Sequence, residues 1–530
     1  MYAKFPAWKT AAALSMVAAS LFSAPVFASD TATVRTDSGP VIGIESAGMI
    51  SWLGLPYAAP PVGQLRWQPP HDVASWSTPR KANILPGSCA QNADLGDFAK
   101  AGGSEDCLYL NVYRSADAGE GNRKLPVFVW IHGGALQVGQ GADYDPSKLV
   151  MQGKAVVVTL NYRLGVFGFL SEPGLDAEGH ESGNYGLMDQ QAALRWVKKN
   201  ISLFGGDPSN VTISGESSGG NSVMAHIAAP GSADLFQHVV SLSGAALMSR
   251  YPAFGAPLPL EAAQKTGSAF AVTLGCSATD TACLRAVPAS RILEVQSAYL
   301  QNQLIIDGRV LPTHPADAFK SGKINRVTLI NGTTRDEGHF FMALPELATG
   351  KSVQSQDYPA LIGHQYGEAL KSKVVAEYPL KNYENPSEAF AATITDSLFS
   401  CPARAMNKIL ADKMPVYAYE FSDRTAPSYV GPTTFPLLAA HTFELAYLFP
   451  GFHGGSDTHI SLNPLQEKLA DEMVSYFVSP GKMPSAEQVW TRYEPGSDNY
   501  MTFALPIAKM MSGRFSDVHH CAFWDQQGVY

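Results

Sequence analysis

The chain has 530 residues, of which 45% are hydrophobic and 16% charged, a balance typical of globular proteins with a large core. The formal net charge of −9 gives no support for nucleic-acid binding. Length alone would permit several domains, although single large α/β domains also reach this size.

The N-terminus has the features of a secretory signal peptide. Lys4 and Lys9 form a positive segment, residues 11–22 are apolar but short for a bilayer, and Ala28 ends a small-residue cleavage site. We expect removal of residues 1–28 and export of the remainder to the periplasm or the medium. An uncleaved anchor is the less favoured alternative, and stable membrane insertion is not expected.

The cysteines suggest disulfide bonds, because the chain contains six and is predicted to be exported. Six cysteines allow many pairings. Joining nearest neighbours along the chain gives three bridges: Cys89–Cys107, Cys276–Cys283 and Cys401–Cys521. No cysteine or histidine cluster has the spacing of a zinc site, so we expect no metal.

Strand-like runs alternate with helical or loop segments along the chain. The predicted elements are a β-like region at 32–54, apolar strands at 125–131 and 155–160, a helix at 191–201, and strands at 211–214, 239–242, 327–330 and 416–421. Continuous apolar strands separated by helices favour a largely parallel sheet that is buried on both faces.

Two segments, at about 245–325 and 345–400, have helical patterns and interrupt the strand series. We interpret them as helical excursions that cap a site. The sequence contains no internal repeat and no charged linker, so residues 29–530 are predicted to form one catalytic domain.

Residues 204–220 are the most informative stretch. The strand at 211–214 leads into Gly215-x-Ser217-x-Gly219, and a helix-compatible segment follows from Asn221. A strand, a sharp turn and a helix place a serine hydroxyl away from the sheet, and the flanking glycines avoid steric clashes. The pattern therefore predicts that Ser217 is a nucleophile.

A serine nucleophile needs a histidine base, a carboxylate and backbone N–H donors for the developing oxyanion. Gly133 and Gly134 directly follow the strand at 125–131 and are candidate donors, together with the N–H of Ser218. His132 precedes this glycine loop, so we interpret it as structural.

The acid and the base should follow the serine in the chain. Asp336 and Glu337 are adjacent after the strand at 327–330, and the residues alone do not choose between them. A turn with solvated acids is the alternative interpretation. His441, in the loop after the strand at 416–421, is the candidate base, whereas His519 and His520 in the tail are predicted to be structural.

At this point the chain resembles the type-B carboxylesterase and cholinesterase family of α/β-hydrolases. The resemblance covers essentially the whole mature chain. It is carried by four blocks: Gly54–Pro61, Glu105–Val112, Asn161–Gly165 and the nucleophile stretch Phe204–Gly219. It implies the α/β-hydrolase fold, with a large, mostly parallel central sheet flanked by helices.

The resemblance also implies roles for individual residues, and it agrees with the three disulfides. It assigns the catalytic residues Ser217, Glu337 and His441, the oxyanion-hole donors Gly133, Gly134 and Ser218, and the supporting residues Glu216, Ser243 and Glu444. It matches Glu105 and Arg163 to a structural ion pair. Many relatives have alanine at the Ser218 position, and this difference is expected to matter little because the N–H remains.

The substrate class is less defined. Cholinesterases hold a quaternary ammonium over a tryptophan in the loop between the first two cysteines, but here residues 90–106 contain no tryptophan and only Phe98 as an aromatic. Phe340 and Phe341 match pocket-lining aromatics and suit an apolar or aryl group, although Phe341 could equally pack in the core.

The implied activity is hydrolysis of small to medium carboxylic esters through an acyl-enzyme, without a cofactor. Two alternatives stay open. The same residues could hydrolyse a carbamate, an amide or a bulky natural polyester, and, more remotely, the fold could serve a non-catalytic binding protein. The sequence does not indicate an oligomeric state.

Overall fold

The structure is a computed structural model that describes residues 32–530 apart from 94, 96–99, 119–123, 251–255, 300–302, 455, 457 and 481–489. The predicted signal peptide and its cleavage site lie outside the described residues, as does Phe98. None of the helices within these ranges combines the length and apolarity that a membrane crossing requires.

The strands follow the predicted order along the chain. They are β1 (Thr33–Arg35), β2 (Pro40–Ile42), β3 (Ile44–Ser46), β4 (Met49–Pro56), β5 (Arg80–Lys81), β6 (Tyr109–Ser115), β7 (Leu125–Ile131), β8 (Val156–Leu160), β9 (Gly206–Glu216), β10 (His238–Leu242), β11 (Leu258–Pro259), β12 (Ile305–Ile306), β13 (Thr328–Thr334), β14 (Val416–Phe421), β15 (Tyr500–Phe503) and β16 (Lys509–Met511). The apolar runs at 125–131 and 416–421 are strands over their full predicted length.

In the described part of the chain, the main sheet has eleven strands in the order β16-β15-β14-β13-β10-β9-β7-β8-β6-β4-β3. Neighbours from β15 to β8 run parallel, and the pairs at both edges are antiparallel. Val127, Val129 and Ile131 of β7 pack into one core, whereas Phe128 and Trp130 pack into the other. Both faces of the sheet are therefore buried, which explains the continuous apolar strands.

Helices cover these two faces. They are α1 (Ser147–Met151), α2 (Gly165–Phe169), α3 (Pro173–Asp176), α4 (Tyr185–Asn200), α5 (Ser218–Ala228), α6 (Leu260–Thr273), α7 (Thr281–Ala286), α8 (Ala289–Gln296), α9 (Pro315–Ser321), α10 (Gly338–Thr349), α11 (Tyr358–Tyr366), α12 (Glu368–Glu377), α13 (Pro386–Ile394), α14 (Cys401–Ala411), α15 (Leu445–Leu448), α16 (Pro464–Val478), α17 (Phe515–Val518) and α18 (Cys521–Gln527). A π-helix, Thr395–Ser400, joins α13 to α14.

The parallel strands bring the candidate site residues to one edge of the sheet. Ile131 at the end of β7 is in register with Gly215 of β9, and Leu242 at the end of β10 is in register with Glu216. The loops that follow β7, β9, β10, β13 and β14 therefore leave the sheet at the same edge. This is the edge at which open α/β sheets bind ligands.

The three disulfides predicted from the sequence are present: Cys89–Cys107, Cys276–Cys283 and Cys401–Cys521. The third closes the longest loop, spanning 120 residues, and joins the start of α14 to the start of α18.

The predicted ion pair between Glu105 and Arg163 is wrong. Glu105 accepts two hydrogen bonds from Arg66, both at 2.6 Å. Arg163 instead makes a bidentate pair with Asp189 of α4, at 2.7 and 2.8 Å. The Arg163 guanidinium is buried against α4, where Asp189 supplies a carboxylate in bidentate geometry. Arg66 lies beside the first disulfide loop, and it is this arginine that reaches Glu105.

Candidate active site

Ser217 lies at the sharp turn between β9 and α5. Its backbone has φ 57° and ψ −123°, a conformation that non-glycine residues rarely adopt. The turn is held by a hydrogen bond from the Ser217 N–H to the Leu242 carbonyl, at 2.9 Å. A Cβ at Gly219 would lie 2.1 Å from the Ile131 carbonyl oxygen, and one at Gly215 would clash with Gly219. The turn thus requires both glycines, as predicted.

The two adjacent acids after β13 have different partners. Glu337 lies 2.5 Å from His441 through its Oε2 atom, and its Oε1 atom accepts hydrogen bonds from Ser243 Oγ at 2.6 Å and from the Thr334 N–H at 2.8 Å. Asp336 instead pairs with Arg424 at 2.7 and 3.0 Å. The geometry therefore distinguishes Glu337 as the carboxylate that faces the histidine.

His441 is held from several sides. Its loop is joined to the acid loop by a hydrogen bond from the Asp336 N–H to the Ala439 carbonyl, at 3.0 Å. Glu337 contacts its Nδ1 atom, which fixes the tautomer that carries its proton on Nδ1 and its lone pair on Nε2. Its Nε2 atom lies 3.0 Å from Glu216 Oε1, and among the described residues no hydrogen bond joins it to Ser217 Oγ.

Glu216 and Glu444 form an acidic floor below the histidine. Burial, followed by the charges of Glu444 and Glu337, raises the pKa of Glu216 well above its usual range. Burial and then Glu337 do the same for Glu444. Neither carboxyl has a hydrogen-bond partner among the described residues, and the 3.0 Å approach of Glu216 to His441 lacks hydrogen-bond geometry. Burial and the neighbouring acids therefore favour the neutral forms of Glu216 and Glu444.

The glycine loop after β7 packs directly against the serine. A Cβ at Gly133 would lie 2.8 Å from the Glu216 carbonyl oxygen and 3.2 Å from Ser217 Cβ. Gly134 has φ 101°, and the following residue pair, Ala135 and Leu136, also has positive φ. This conformation keeps the loop backbone close to Ser217 with no side chain between them.

Ser218 does more than provide a backbone N–H. Its Oγ atom accepts a hydrogen bond of 3.0 Å from the Leu136 N–H, and so fastens the glycine loop to the start of α5. The sequence analysis expected no consequence from a serine at this position. The structure shows that the hydroxyl has a specific partner.

His132 is buried and neutral. Burial lowers its pKa to about 4, its Nδ1 atom contacts the Gly133 carbonyl, and its ring stacks on Tyr162 with centroids 4.5 Å apart. These contacts fit the predicted structural role.

Three phenylalanine rings surround the histidine. The centroids of Phe341, Phe399 and Phe340 lie 4.9, 5.1 and 5.8 Å from that of His441. Phe341 stacks on Phe399 at 5.5 Å and is partly exposed, whereas Phe340 is buried. Phe399 was missed by the sequence analysis, since it lies within a predicted helical excursion; in the structure it belongs to the π-helix, and its ring lies beside His441.

Comparisons with known proteins show which family the chain is similar to. The profile described as the carboxylesterase family matches residues 30–524. The chain is 38% identical to the para-nitrobenzyl esterase of Bacillus subtilis, with 79% of this chain and 83% of the relative covered. It is 32% identical to the acylcarnitine hydrolase of Mus musculus, with 90% and 87% covered. The solved structure of a thermophilic PNB esterase superposes with a TM-score of 0.77 at 32% identity, covering 92% of this chain and 99% of the other.

The fold and the match over nearly the whole chain define the class of protein: an enzyme of the α/β-hydrolase fold. The chain belongs to the carboxylesterase family and is a carboxylic ester hydrolase.

Proposed function

We propose that Ser217 is the nucleophile, His441 the general base and acid, and Glu337 the acid that orients the histidine. The single observation that carries this assignment is the pairing of a strained serine turn with a buried His441–Glu337 contact of 2.5 Å at the same sheet edge. The N–H groups of Gly133, Gly134 and Ser218 are proposed as the oxyanion hole.

The reaction has two steps. As Ser217 Oγ bonds to the ester carbonyl carbon, His441 Nε2 takes its proton and the oxyanion is stabilised by the three N–H groups. The C–O bond to the alcohol then breaks, and His441 gives the proton to the leaving oxygen. Water, deprotonated by the same histidine, attacks the acyl-enzyme and releases the acid and the serine.

Glu337, Ser243 and Glu216 support this cycle in different ways. Glu337 accepts from the Nδ1–H of His441 and stabilises the imidazolium as it forms. Ser243 Oγ donates a hydrogen bond of 2.6 Å to the other carboxylate oxygen of Glu337. Glu216 has a raised pKa because of burial and its acidic neighbours, so it stays neutral and does not hold His441 as a permanent cation.

The substrate preference follows from the side chains around the reacting atoms. Phe341 and Phe399 form a stacked aromatic wall beside His441, which suits an apolar or aryl group of the ester. The sequence between Cys89 and Cys107 contains no tryptophan to hold a quaternary ammonium. We therefore infer a preference for small to medium apolar or aryl esters over choline esters.

Export is the location that best fits this enzyme. The N-terminal sequence has the features of a signal peptide, and three disulfides close loops of the mature chain. Disulfides persist in oxidising compartments, such as the periplasm or the medium.

The test is hydrolysis of p-nitrophenyl esters of increasing acyl length by the mature protein, with Ser217→Ala beside it and an organophosphate as a label. We expect turnover of short acyl esters and labelling of Ser217, both lost in the variant. Labelling without ester turnover would favour a carbamate, an amide or a bulky ester as the substrate. Ester turnover that persists in Ser217→Ala would overturn the assignment of the nucleophile.

A further inference from the structure

The π-helix Thr395–Ser400, hereafter the π-turn, lies between the active site and the C-terminal tail. π-helical turns are rare and frequently occur at functional sites. Three of its side chains, Thr395, Asp396 and Phe399, point to different partners. These partners connect regions that are far apart in the sequence.

On one side the π-turn contacts the catalytic residues. The Phe399 ring lies 5.1 Å from the His441 ring. Thr395 Oγ1 accepts a hydrogen bond of 2.9 Å from the N–H of Gly338, the residue directly after Glu337. A shift of the π-turn would therefore move the aromatic wall and loosen the backbone that carries the acid.

On the other side the π-turn is bound to the tail by a buried ionic group, which we call the tail cluster: Asp396, His519 and Glu420. His519 Nδ1 lies 2.8 Å from Asp396 Oδ1, and its Nε2 lies 2.7 Å from Glu420 Oε1. All three side chains are at most 5% exposed. Burial alone lowers the pKa of His519, but its bonds to both carboxylates raise the pKa to about 10, so His519 is a cation at neutral pH.

The tail cluster fixes the π-turn to the sheet. Glu420 is a residue of the central strand β14, whereas Asp396 belongs to the π-turn and also accepts a hydrogen bond of 2.7 Å from Tyr378. Replacing a whole buried ionic group by apolar residues is often neutral or stabilising. The intact tail cluster therefore contributes to the folded protein mainly by defining one geometry, and less by adding net stability. Because His519 bonds Asp396 through one ring nitrogen and Glu420 through the other, it ties the position of Asp396 to that of β14.

We propose that the tail cluster is a positioning element for the active site, which fixes Phe399 beside His441 and thereby sets the enzyme's preference for the bulky apolar or aryl part of its ester. This inference rests on the proposed function, because it assigns the aromatic wall to the substrate. His519, Asp396 and Glu420 act through Phe399 and do not contact the substrate themselves.

A double-mutant cycle tests the proposal. His519→Gln, Phe399→Ala and the double variant are compared by the ratio of kcat/KM for p-nitrophenyl benzoate to that for p-nitrophenyl acetate, per active site titrated with an organophosphate. We expect His519→Gln to change this ratio by about threefold to tenfold. In the Phe399→Ala background the same change should alter the ratio by less than about twofold.

The neighbouring histidine is a matched control. His520 pairs with Glu377, both about one-third exposed, and its ring lies against Tyr378. Replacing it leaves in place the bond from the Tyr378 hydroxyl to Asp396 and both contacts of His519. We expect His520→Gln to leave the ratio unchanged. An equal shift in His520→Gln would mean that any loosening of the tail has this effect, and would overturn the role of the cluster.

If His519→Gln does not fold, Asp396→Asn keeps the side-chain shape while removing the charge, and should shift the ratio in the same direction. An unchanged ratio in a variant that turns over and is labelled would overturn the positioning role alone. Absence of both turnover and labelling in the wild-type enzyme would overturn the proposed function, and the positioning role with it.

Discussion

The active site and the C-terminal tail each contain a buried histidine between two carboxylates. In the active site, His441 contacts Glu337 through Nδ1 and approaches Glu216 through Nε2, at 2.5 and 3.0 Å. In the tail, His519 contacts Asp396 and Glu420 at 2.8 and 2.7 Å. The distances are similar, but the two histidines differ in role: His519 is a fixed cation, whereas His441 is proposed to take up and release a proton in each reaction cycle.

The difference lies in what else reaches the carboxylates. Glu420 accepts a hydrogen bond from Ser422; burial by itself raises its pKa, but the bonds and charge of His519 outweigh this and lower it. Glu216 has no such donor and lies beside Glu444, so its pKa is raised. His519 is therefore held as a cation between its two carboxylate partners. His441 instead has the hydrogen-bonded Glu337 on one side and, on the other, Glu216, whose raised pKa favours its neutral form.

The largest expected effect is at Glu337, the hydrogen-bonded partner of His441. In Glu337→Gln the amide no longer stabilises the imidazolium and can reverse the tautomer, so kcat should fall by about a thousandfold or more. The measurement is kcat for p-nitrophenyl acetate, with thermal unfolding as a check on the fold. Glu420→Gln is the matched change in the tail, and its loss of kcat should be far smaller. A fall of less than about tenfold in Glu337→Gln would contradict the assigned role.

The second prediction concerns the stability that His519 contributes. Its folded pKa of about 10 lies above the unfolded value, so the contribution is complete below about pH 6.5 and is lost as the pH rises to about 10. His519→Gln should cost about 3 kcal/mol at neutral pH, a fall in Tm of about 3 °C for a chain of this size. The Tm difference from wild type should narrow between pH 6.5 and 10, measured by calorimetry. A difference that is constant over this window would mean that His519 is not a buried cation.

The acidic floor of the active site should also make the wild-type protein lose stability as the pH rises, but from a lower pH, because the groups involved are carboxyls. Because the folded pKa of Glu444 is raised by burial and Glu337, the wild-type protein loses stability as the pH rises above the unfolded value of about 4.5. Glu444→Gln removes this loss. Its Tm relative to wild type, measured by calorimetry, should therefore increase as the pH rises from about 5 to about 8. Parallel Tm profiles of the two proteins would contradict a neutral Glu444.

The two regions were not equally predictable from the sequence. The strands at 125–131 and 416–421, the glycine-flanked turn at Ser217 and the three disulfides depend on local pattern and chain order, and the structure contains them. The choice between Asp336 and Glu337 needed more than the residues, because it depends on which acid meets Arg424 and which meets His441.

The tail cluster could not be predicted in this way. His519 is separated from Asp396 by 123 residues and from Glu420 by 99, and no local pattern marks such a contact. Phe399 lies in a π-helix within the helical excursion predicted over 345–400, and a helical pattern alone does not indicate which of its side chains will contact His441. The Arg163 partner, which came from the resemblance, was wrong: Arg163 pairs with Asp189, 26 residues further along the chain in α4.

The smallest expected effect tests the hydroxyl that the sequence analysis considered unimportant. Ser218→Ala removes the acceptor of the Leu136 N–H while keeping the proposed oxyanion donor, the backbone N–H of residue 218. One lost hydrogen bond of about 1 kcal/mol should loosen the glycine loop and lower kcat by about fivefold, with little change in KM. Ser222→Ala is the matched control: this serine lies one turn along α5, bonds the Ser218 carbonyl at 2.9 Å and does not reach the loop. Equal kcat values for the two variants would show that the Ser218 hydroxyl does not position the oxyanion loop, and that the N–H alone accounts for the role of this residue.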